Sequence, residues 1–213
     1  MSLRLPAGFA ADAQIEVKRS RFLAHVARVD DEDAARAAVA AARSAHPDAR
    51  HHCSSFIVEV PGAQPVERSS DDGEPSSTAG TPMLEVLRGA HLTQVVAVVT
   101  RYFGGTLLGT GGLTRAYADA VAAALAGTPR VRPITRHLVA FDVGPQDAGR
   151  VQGSLLAHGV EVVDAAWAAS VRLTLAVVDP AEAAASVAGL LQREVTLTRV
   201  GTTVTEVPVH HSS

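Results

Sequence analysis

The stretch from Arg101 to Tyr117, RYFGGTLLGTGGLTRAY, places five glycines between two arginines. It follows an apolar run and precedes a helical pattern. Backbone N–H groups in such a loop, together with a helix N-terminus, can bind an anion, and arginines add charge-assisted hydrogen bonds. We therefore predict that this segment contacts phosphate or a partner's backbone. The predicted binding residues here are Arg101, Tyr102, Gly104, Gly105, Gly109, Thr110, Gly111, Gly112 and Arg115.

Known nucleotide motifs do not match this loop. It lacks the Gly-Lys-Ser/Thr of a phosphate-binding P-loop. Thr114 stands where the dinucleotide fingerprint that starts at Gly109 would need its third glycine. A tight turn that packs a helix closely on a sheet is the structural alternative, and it stays open at this point.

A second unusual stretch is SSDDGEPSSTAGTP, residues 69–82. Carboxylates at this spacing could hold Mg²⁺ or Ca²⁺, but the EF-hand spacing is absent, so we assign no metal. A solvated loop that leads into a helix cap is the alternative. Because loops longer than about 15 residues in a compact domain are usually functional or disordered, we predict a second binding segment. Its residues are Asp71, Asp72, Gly73, Glu74 and Thr78.

The segment RHHCSSF sets His51 and Cys53 on one face of a strand, where a nucleophile and a base could meet. Zinc would need further ligands, and none stands at a recognisable spacing. We favour a half-buried strand with a structural cysteine, because cysteine is among the most buried residue types. We assign no catalytic residue.

Composition limits the function classes. The chain has 213 residues, 47% of them hydrophobic and 19% charged, which is an ordinary globular profile. A net charge of −3 argues against a general polycationic nucleic-acid binder, although a local basic patch stays open. A single cysteine agrees with a reducing compartment, and no signal-peptide or membrane-spanning pattern is recognisable. We expect a cytoplasmic protein.

Hydrophobic periodicity predicts an α+β organisation in two domains joined by a linker with two prolines. In the first domain we expect strands near 13–18, 21–29, 52–60 and 93–103. Helices are expected at 32–45, from Thr81-Pro82 onwards and at 113–127, and a long loop at 61–80. The second domain reads β-α-β-β-α-β, a ferredoxin-like order, with a helix capped by Asp179. The predicted boundaries are 1–128, 129–133 (linker), 134–208 and 209–213 (tail).

Three segments together resemble the IMPACT family and its bacterial YigZ-like branch. They are DARHHC, SDDGEPSSTAGTPML and VVAVVTRYFGGTLLGTGGLTRAYADAV, in this order and spacing. The resemblance covers residues 16–125. It implies a first domain like the second domain of a small-subunit ribosomal protein and the fourth domain of elongation factor G. It also implies a second domain like the fifth domain of that factor. The eukaryotic family member regulates translation by competing for a partner of an initiation-factor kinase.

Three functional hypotheses follow. The first is a non-enzymatic regulator that contacts RNA, the ribosome or a translation-associated protein through the two loops. The second is a small-scope enzyme that acts on a phosphorylated or nucleotide ligand with a divalent cation. The third is a module that binds only protein. We expect no cofactor, no membrane contact and no sequence-specific DNA binding.

Overall fold

The structure, a computed structural model, describes residues 2–209 and divides them into two compact α+β units. The first unit comprises residues 2–132 and 207–209, and the second comprises 133–206. Most of the predicted tail, including His210 and His211, lies outside the described residues. Among the helices of residues 2–209, none has both the length and the apolar character needed to cross a membrane.

The first unit is a five-stranded antiparallel sheet with strand order β1-β2-β5-β3-β4. The expected elements are present, and the expected long loop contains one more strand, β4. This strand, VERSS, was missed because it is short and polar. The elements are β1 (Ala10–Val17), β2 (Ser20–Arg28), α1 (Glu32–Ala45), β3 (His51–Val58), β4 (Val66–Ser70), α2 (Gly80–Gly89), β5 (Val95–Tyr102) and α3 (Thr110–Leu125).

Strand β5 is covered on both faces, as its continuous apolar run predicts. Val95, Ala97 and Val99 belong to the core shared with α2 and α3, whereas Val96 and Val98 belong to the core shared with α1. Because successive side chains of a strand alternate, Arg101 falls on the α2/α3 face and Tyr102 on the α1 face. The end of β5 therefore sends its two polar side chains into different environments.

The second unit has the predicted order β-α-β-β-α-β, which is confirmed. Its four strands form a sheet of order β7-β8-β6-β9. As predicted, Asp179 caps the second helix, and its carboxylate accepts from the N–H of Ala181 at 2.7 Å. The elements are β6 (Val131–Val143), α4 (Pro145–Ala157), β7 (Glu161–Trp167), β8 (Val171–Val177), α5 (Pro180–Leu191) and β9 (Thr198–Pro208).

Helix starts were the least predictable boundaries. Asp31 caps α1 as expected, accepting from the N–H of Ala34 at 2.7 Å. The expected cap of α2 at Thr81 is wrong, because the helix begins at Gly80 and no side chain of its own N-cap residue bonds to it. Helix α3 begins at Thr110 rather than at Leu113, so two of the glycines lie in its first turn.

The loop between β5 and α3, residues 103–109, is called the glycine loop. It packs directly on the β1–β2 hairpin, and Gly104 is the contact. A Cβ at Gly104 would lie 2.1 Å from the carbonyl carbon of Arg19, which is closer than any real contact. The N–H of Gly104 donates to the Ser20 hydroxyl at 3.1 Å. At Gly111 a Cβ would meet open space. Close packing on the hairpin therefore explains why residue 104 is a glycine. No steric contact explains why residue 111 is one.

We predict that Gly104→Ala lowers the free energy of unfolding by about 2–3 kcal/mol, because the new methyl group must displace hairpin backbone. Gly111→Ala is the matched control, and we expect it to be neutral or stabilising by up to about 1 kcal/mol. Urea denaturation of both variants measures the difference. Equal effects would contradict the packing role of Gly104.

Candidate functional site

The loop between β4 and α2, which carries Asp71, Asp72 and Glu74, is called the acidic loop. A buried ion pair joins it to the end of β5. Arg101 Nη1 lies 2.6 Å from Glu74 Oε1, and the two side chains are only 7% and 4% exposed. The hydroxyl of Tyr117 in α3 donates to the same oxygen at 2.8 Å. The network therefore links three segments: the loop before α2, strand β5 and helix α3.

Aromatic rings surround this network. The Arg101 guanidinium carbon lies 5.4 Å from the centre of the Phe22 ring and 5.6 Å from that of Phe103. Tyr117 meets Phe22 edge to face, with ring centres 5.1 Å apart. Burial raises the pKa of the Tyr117 phenol, and Cys53 and Glu74 act in the same direction. Tyr117 therefore stays protonated and serves as a hydrogen-bond donor.

Asp71 caps helix α2 from outside the helix. Its carboxylate accepts from the backbone N–H groups of Ser77, Ala79 and Gly80 at 2.7, 3.0 and 2.9 Å. The N–H groups of Ala79 and Gly80 are donors that the helix start would otherwise leave unsatisfied, and that of Ser77 belongs to the turn before the helix. Burial raises the pKa of Asp71, but the three hydrogen bonds outweigh burial and bring it below its ordinary value. The loop and the helix start are therefore one folded unit.

Asp72 and its neighbour Gly73 attach the same loop to β3. The Asp72 carboxylate accepts from the N–H of His52 at 2.6 Å and pairs with Arg43 at 2.5 Å. His51 Nδ1 lies 2.8 Å from the carbonyl oxygen of Asp72, so this nitrogen is the donor. Gly73 has φ +85° and lies against the His51 ring.

Two further residues of this region are buried and satisfied within the protein. The Thr78 hydroxyl donates to the carbonyl of Pro75 at 2.6 Å. Cys53 is buried, as its structural interpretation predicts, and its thiol lies 3.0 Å from the carbonyl oxygen of Asp71. Burial raises the pKa of Cys53 to about 12. A thiol with this pKa stays protonated at neutral pH, which does not suit a nucleophile.

The carboxylates that could have held a metal are thus bonded to protein donors. Asp71 binds backbone N–H groups, Asp72 binds Arg43 and His52, and Glu74 binds Arg101 and Tyr117. Across residues 2–209 no group of three or more His, Cys, Asp or Glu side chains is placed to hold a metal ion. The geometry therefore gives the cation-binding interpretation no support.

The exposed side of the glycine loop forms a different environment, which we call the loop surface. Arg19 Nη2 lies 3.3 Å from the Thr106 hydroxyl, and the Arg21 guanidinium stacks 4.8 Å from the centre of the Tyr102 ring. The start of α3 has no side-chain cap and no acidic residue in its first turn. The loop surface comprises Lys18, Arg19, Arg21, Phe103, Leu107, Gly109, Thr110, Gly111 and Arg115.

The structure divides the predicted site residues into two groups. Gly105, Gly109, Thr110, Gly111 and Arg115 are exposed beside or within the loop surface, whereas Gly104 and Gly112 are half-buried. Arg101, Asp71, Asp72, Gly73, Glu74 and Thr78 hold the fold together. Whether any of them binds a partner stays a prediction, but Arg101 has its guanidinium buried against Glu74 rather than presented outwards.

The predicted binding residue Tyr102 and the unpredicted Tyr117 both form hydrogen bonds within the protein. Tyr102 is half-buried, and its hydroxyl lies 3.0 Å from His46 Nδ1 on the α1 side of the sheet. Tyr117 was not singled out, although a tyrosine in an apolar helix must find a hydrogen-bond partner. Lys18 and Arg19 were also missed as a site. They form a two-residue turn with φ +49° and +66°, and the sequence gives no signal for it because the usual Asn-Gly or Asp-Gly pair is absent.

Comparison with known proteins identifies the class. A family model described as the Impact N-terminal domain matches residues 18–125, which is half of the chain. The chain belongs to the IMPACT family, and its recognition as a YigZ-like member from the three sequence segments is confirmed.

Two curated relatives and one solved structure illustrate the similarity. IMPACT family member YigZ of Escherichia coli is 47% identical over 124 residues, which cover 57% of this chain and 61% of the relative. An IMPACT family member of Haemophilus influenzae is 38% identical over 76% of this chain and 79% of its own. A crystal structure of a hypothetical protein covers 93% of this chain and 97% of its own, with 34% identity and a TM-score of 0.62.

We predict that removing one partner of the Arg101–Glu74 pair lowers the free energy of unfolding by about 3–5 kcal/mol, since the other charge stays buried. Arg101→Met and Glu74→Leu are the single variants, and their combination should recover much of this loss. A double-mutant cycle in urea measures the coupling. Additive losses would contradict a direct buried pair.

We predict that Asp71→Ala lowers the free energy of unfolding by about 2 kcal/mol at pH 7, because the start of α2 loses its acceptor. The folded-state pKa of Asp71 is depressed, so this stabilisation is present above the unfolded-state pKa near 4 and is lost as pH falls through the folded value. The difference from wild type should therefore shrink between pH 7 and about pH 3.

The control for this experiment is Asp119→Ala, because Asp119 is exposed on α3. We expect that variant to unfold like the wild type at both pH values. A deficit of Asp71→Ala that stays constant with pH would argue against the carboxylate cap.

Proposed function

We propose that this IMPACT-family chain is a regulatory protein associated with translation, and that it acts by binding rather than by catalysis. We further propose that the loop surface contacts RNA, most directly on the ribosome. The carrying observation is that the start of α3 has no side-chain cap, and that exposed basic and apolar side chains lie on the hairpin turn, on the glycine loop and in the first two turns of α3. We also propose, as the family resemblance implies, that the first unit is similar to a domain of a ribosomal protein and to one of elongation factor G.

The chemistry of the loop surface suits single-stranded or structured RNA. Lys18, Arg19 and Arg115 provide positive charge in a chain whose net charge is −3, so attraction to phosphate is local. Phe103 is 51% exposed, and an aromatic ring of this kind can stack on an unpaired base. Open space beside Gly111 allows a backbone to approach the N–H groups at the helix start.

The two other hypotheses have less support. A small-scope enzyme with a divalent cation would need carboxylates free to bind the ion, but Asp71, Asp72 and Glu74 are bonded to protein donors. A module that binds only protein would use Phe103 and Leu107 more than the arginines. Co-purification that survives nuclease treatment would favour that module.

The test is filter binding to ribosomes and to structured RNA at several salt concentrations. We expect saturable binding whose affinity falls with salt, with a slope that reports the number of phosphate contacts. Arg115→Glu combined with Arg19→Glu should lower affinity at least about tenfold and reduce the slope by roughly two contacts. Arg101→Ala is unsuitable because it also removes the partner of Glu74.

The matched control is Arg193→Glu combined with Arg199→Glu, which makes the same charge change at two exposed positions of the second unit. It should bind like the wild type. No saturable binding to ribosomes or RNA, or equal loss in the control, would overturn the assignment of this surface.

A further inference from the structure

A cavity of about 620 Å³ lies on the other face of the first unit's sheet, between α1 and the β1–β2 side. Helix α1 packs on β3 and β5 and leaves the neighbouring strands β1 and β2 less covered. Ligand sites in proteins are typically clefts of this size, mostly apolar with a few polar groups. No residue of the glycine loop lines the cavity, so a ligand bound there would be distinct from a partner of the loop surface.

On the helix side the cavity is lined mainly by alanines. Ala38, Ala41, Ala42 and Ala45 line it from α1, at the i, i+3, i+4 and i+7 spacing of one helix face. Methyl side chains leave space between the helix and the sheet, where Leu23 lines the opposite side. A wall of methyl groups has little relief, so a planar ring can lie against it.

Thr100 supplies a polar group that the protein itself does not use. It is only 3% exposed and lines the cavity, opposite Leu23 in the β2–β5 register. No hydrogen bond joins its hydroxyl to another group of residues 2–209, and the oxygen is not among the fully enclosed unpartnered atoms, so it is accessible from the cavity. Buried hydroxyl groups normally have a partner, so a polar atom of a ligand would complete this one.

The charge at the rim selects among ligands. Asp12 Oδ1 lies 2.7 Å from His25 Nδ1, while no hydrogen bond of Oδ2 joins it to the described part of the chain. Lysine and arginine are absent from the residues that line the cavity. A phosphate inside it would meet an aspartate, two histidines and no lysine or arginine, whereas an amino group would find an acceptor.

We propose that this cavity binds a planar heteroaromatic amine, the base of an amino-bearing nucleoside. Its ring lies between the α1 alanines and Leu23, and its polar edge bonds to Thr100 and Asp12. The site goes beyond the function proposed for the loop surface and does not depend on it. A free nucleoside and an unpaired base of an RNA strand share this chemistry.

The test is calorimetric titration of the full chain with adenosine, inosine, adenosine monophosphate and hexaadenylate. We expect adenosine to bind saturably with a dissociation constant of about 1 mM or lower. Inosine, which lacks the amino group, should bind about 3- to 10-fold more weakly, and the monophosphate no more tightly than adenosine. Tighter binding of hexaadenylate identifies the RNA strand as the source of the base, and binding no tighter than adenosine identifies the free nucleoside.

Variants locate the site. Thr100→Val removes the hydroxyl at nearly constant volume and should weaken adenosine binding about 3- to 10-fold. Ala42→Leu fills the cavity and should weaken it more than about tenfold. Ala40→Leu, on an exposed part of α1 that does not line the cavity, is the control and should bind like the wild type.

The proposal is overturned if adenosine gives no saturable heat, or if Ala42→Leu and Ala40→Leu bind it equally. It is also overturned if wild-type chains associate through this face and Ala42→Leu makes them monomeric, as sedimentation would reveal. Amide NMR spectra of each variant verify folding. If Ala42→Leu does not fold, the affinity of Thr100→Val for adenosine and the weaker binding of inosine still test the proposal.

Discussion

The buried pair between Arg101 and Glu74 is the interaction on which the arrangement of the loops depends. Two opposite charges in a nearly water-free interior are tolerated only when each bonds the other and further donors are supplied. Tyr117 supplies such a donor from α3. A strand end, an acidic loop and a helix are thereby fixed in one geometry, and separating the loop from the strand end would leave buried charges unpaired.

This constraint explains why an acidic stretch and a glycine stretch occur together without forming a nucleotide pocket. The carboxylates of the acidic loop face inwards and satisfy an arginine, a helix start and β3. The glycine loop can then lie against the hairpin through Gly104 while its outer side stays open. Within these two segments some residues therefore hold the fold together while others lie exposed, although the sequence alone does not distinguish them.

Periodicity and capping were sufficient for most of the fold. Asp31 and Asp179 were identified correctly because a cap acts on residues next to it in sequence. The cap of α2 was not, because Asp71 reaches its N–H groups across a loop, and a local pattern cannot show that. The family was recognisable from three segments whose order and spacing are specific.

The candidate site was harder to predict for the same reason. Arg101 looks like a phosphate ligand beside glycines, and only the alternation of β5 combined with the position of Glu74 shows that it is enclosed. Thr100, one residue earlier, faces the opposite side of the sheet and an open cavity. Side chains one position apart thus belong to separate sites, and assigning them requires knowing which helices cover each face.

Amide hydrogen exchange in Glu74→Gln tests the central claim most directly. If the buried pair holds the loops, the amides of Ser77, Ala79 and Gly80 should lose protection strongly relative to wild type. Amides of the second unit should exchange as before. Unchanged protection at the start of α2, or an equal loss throughout both units, would contradict the account.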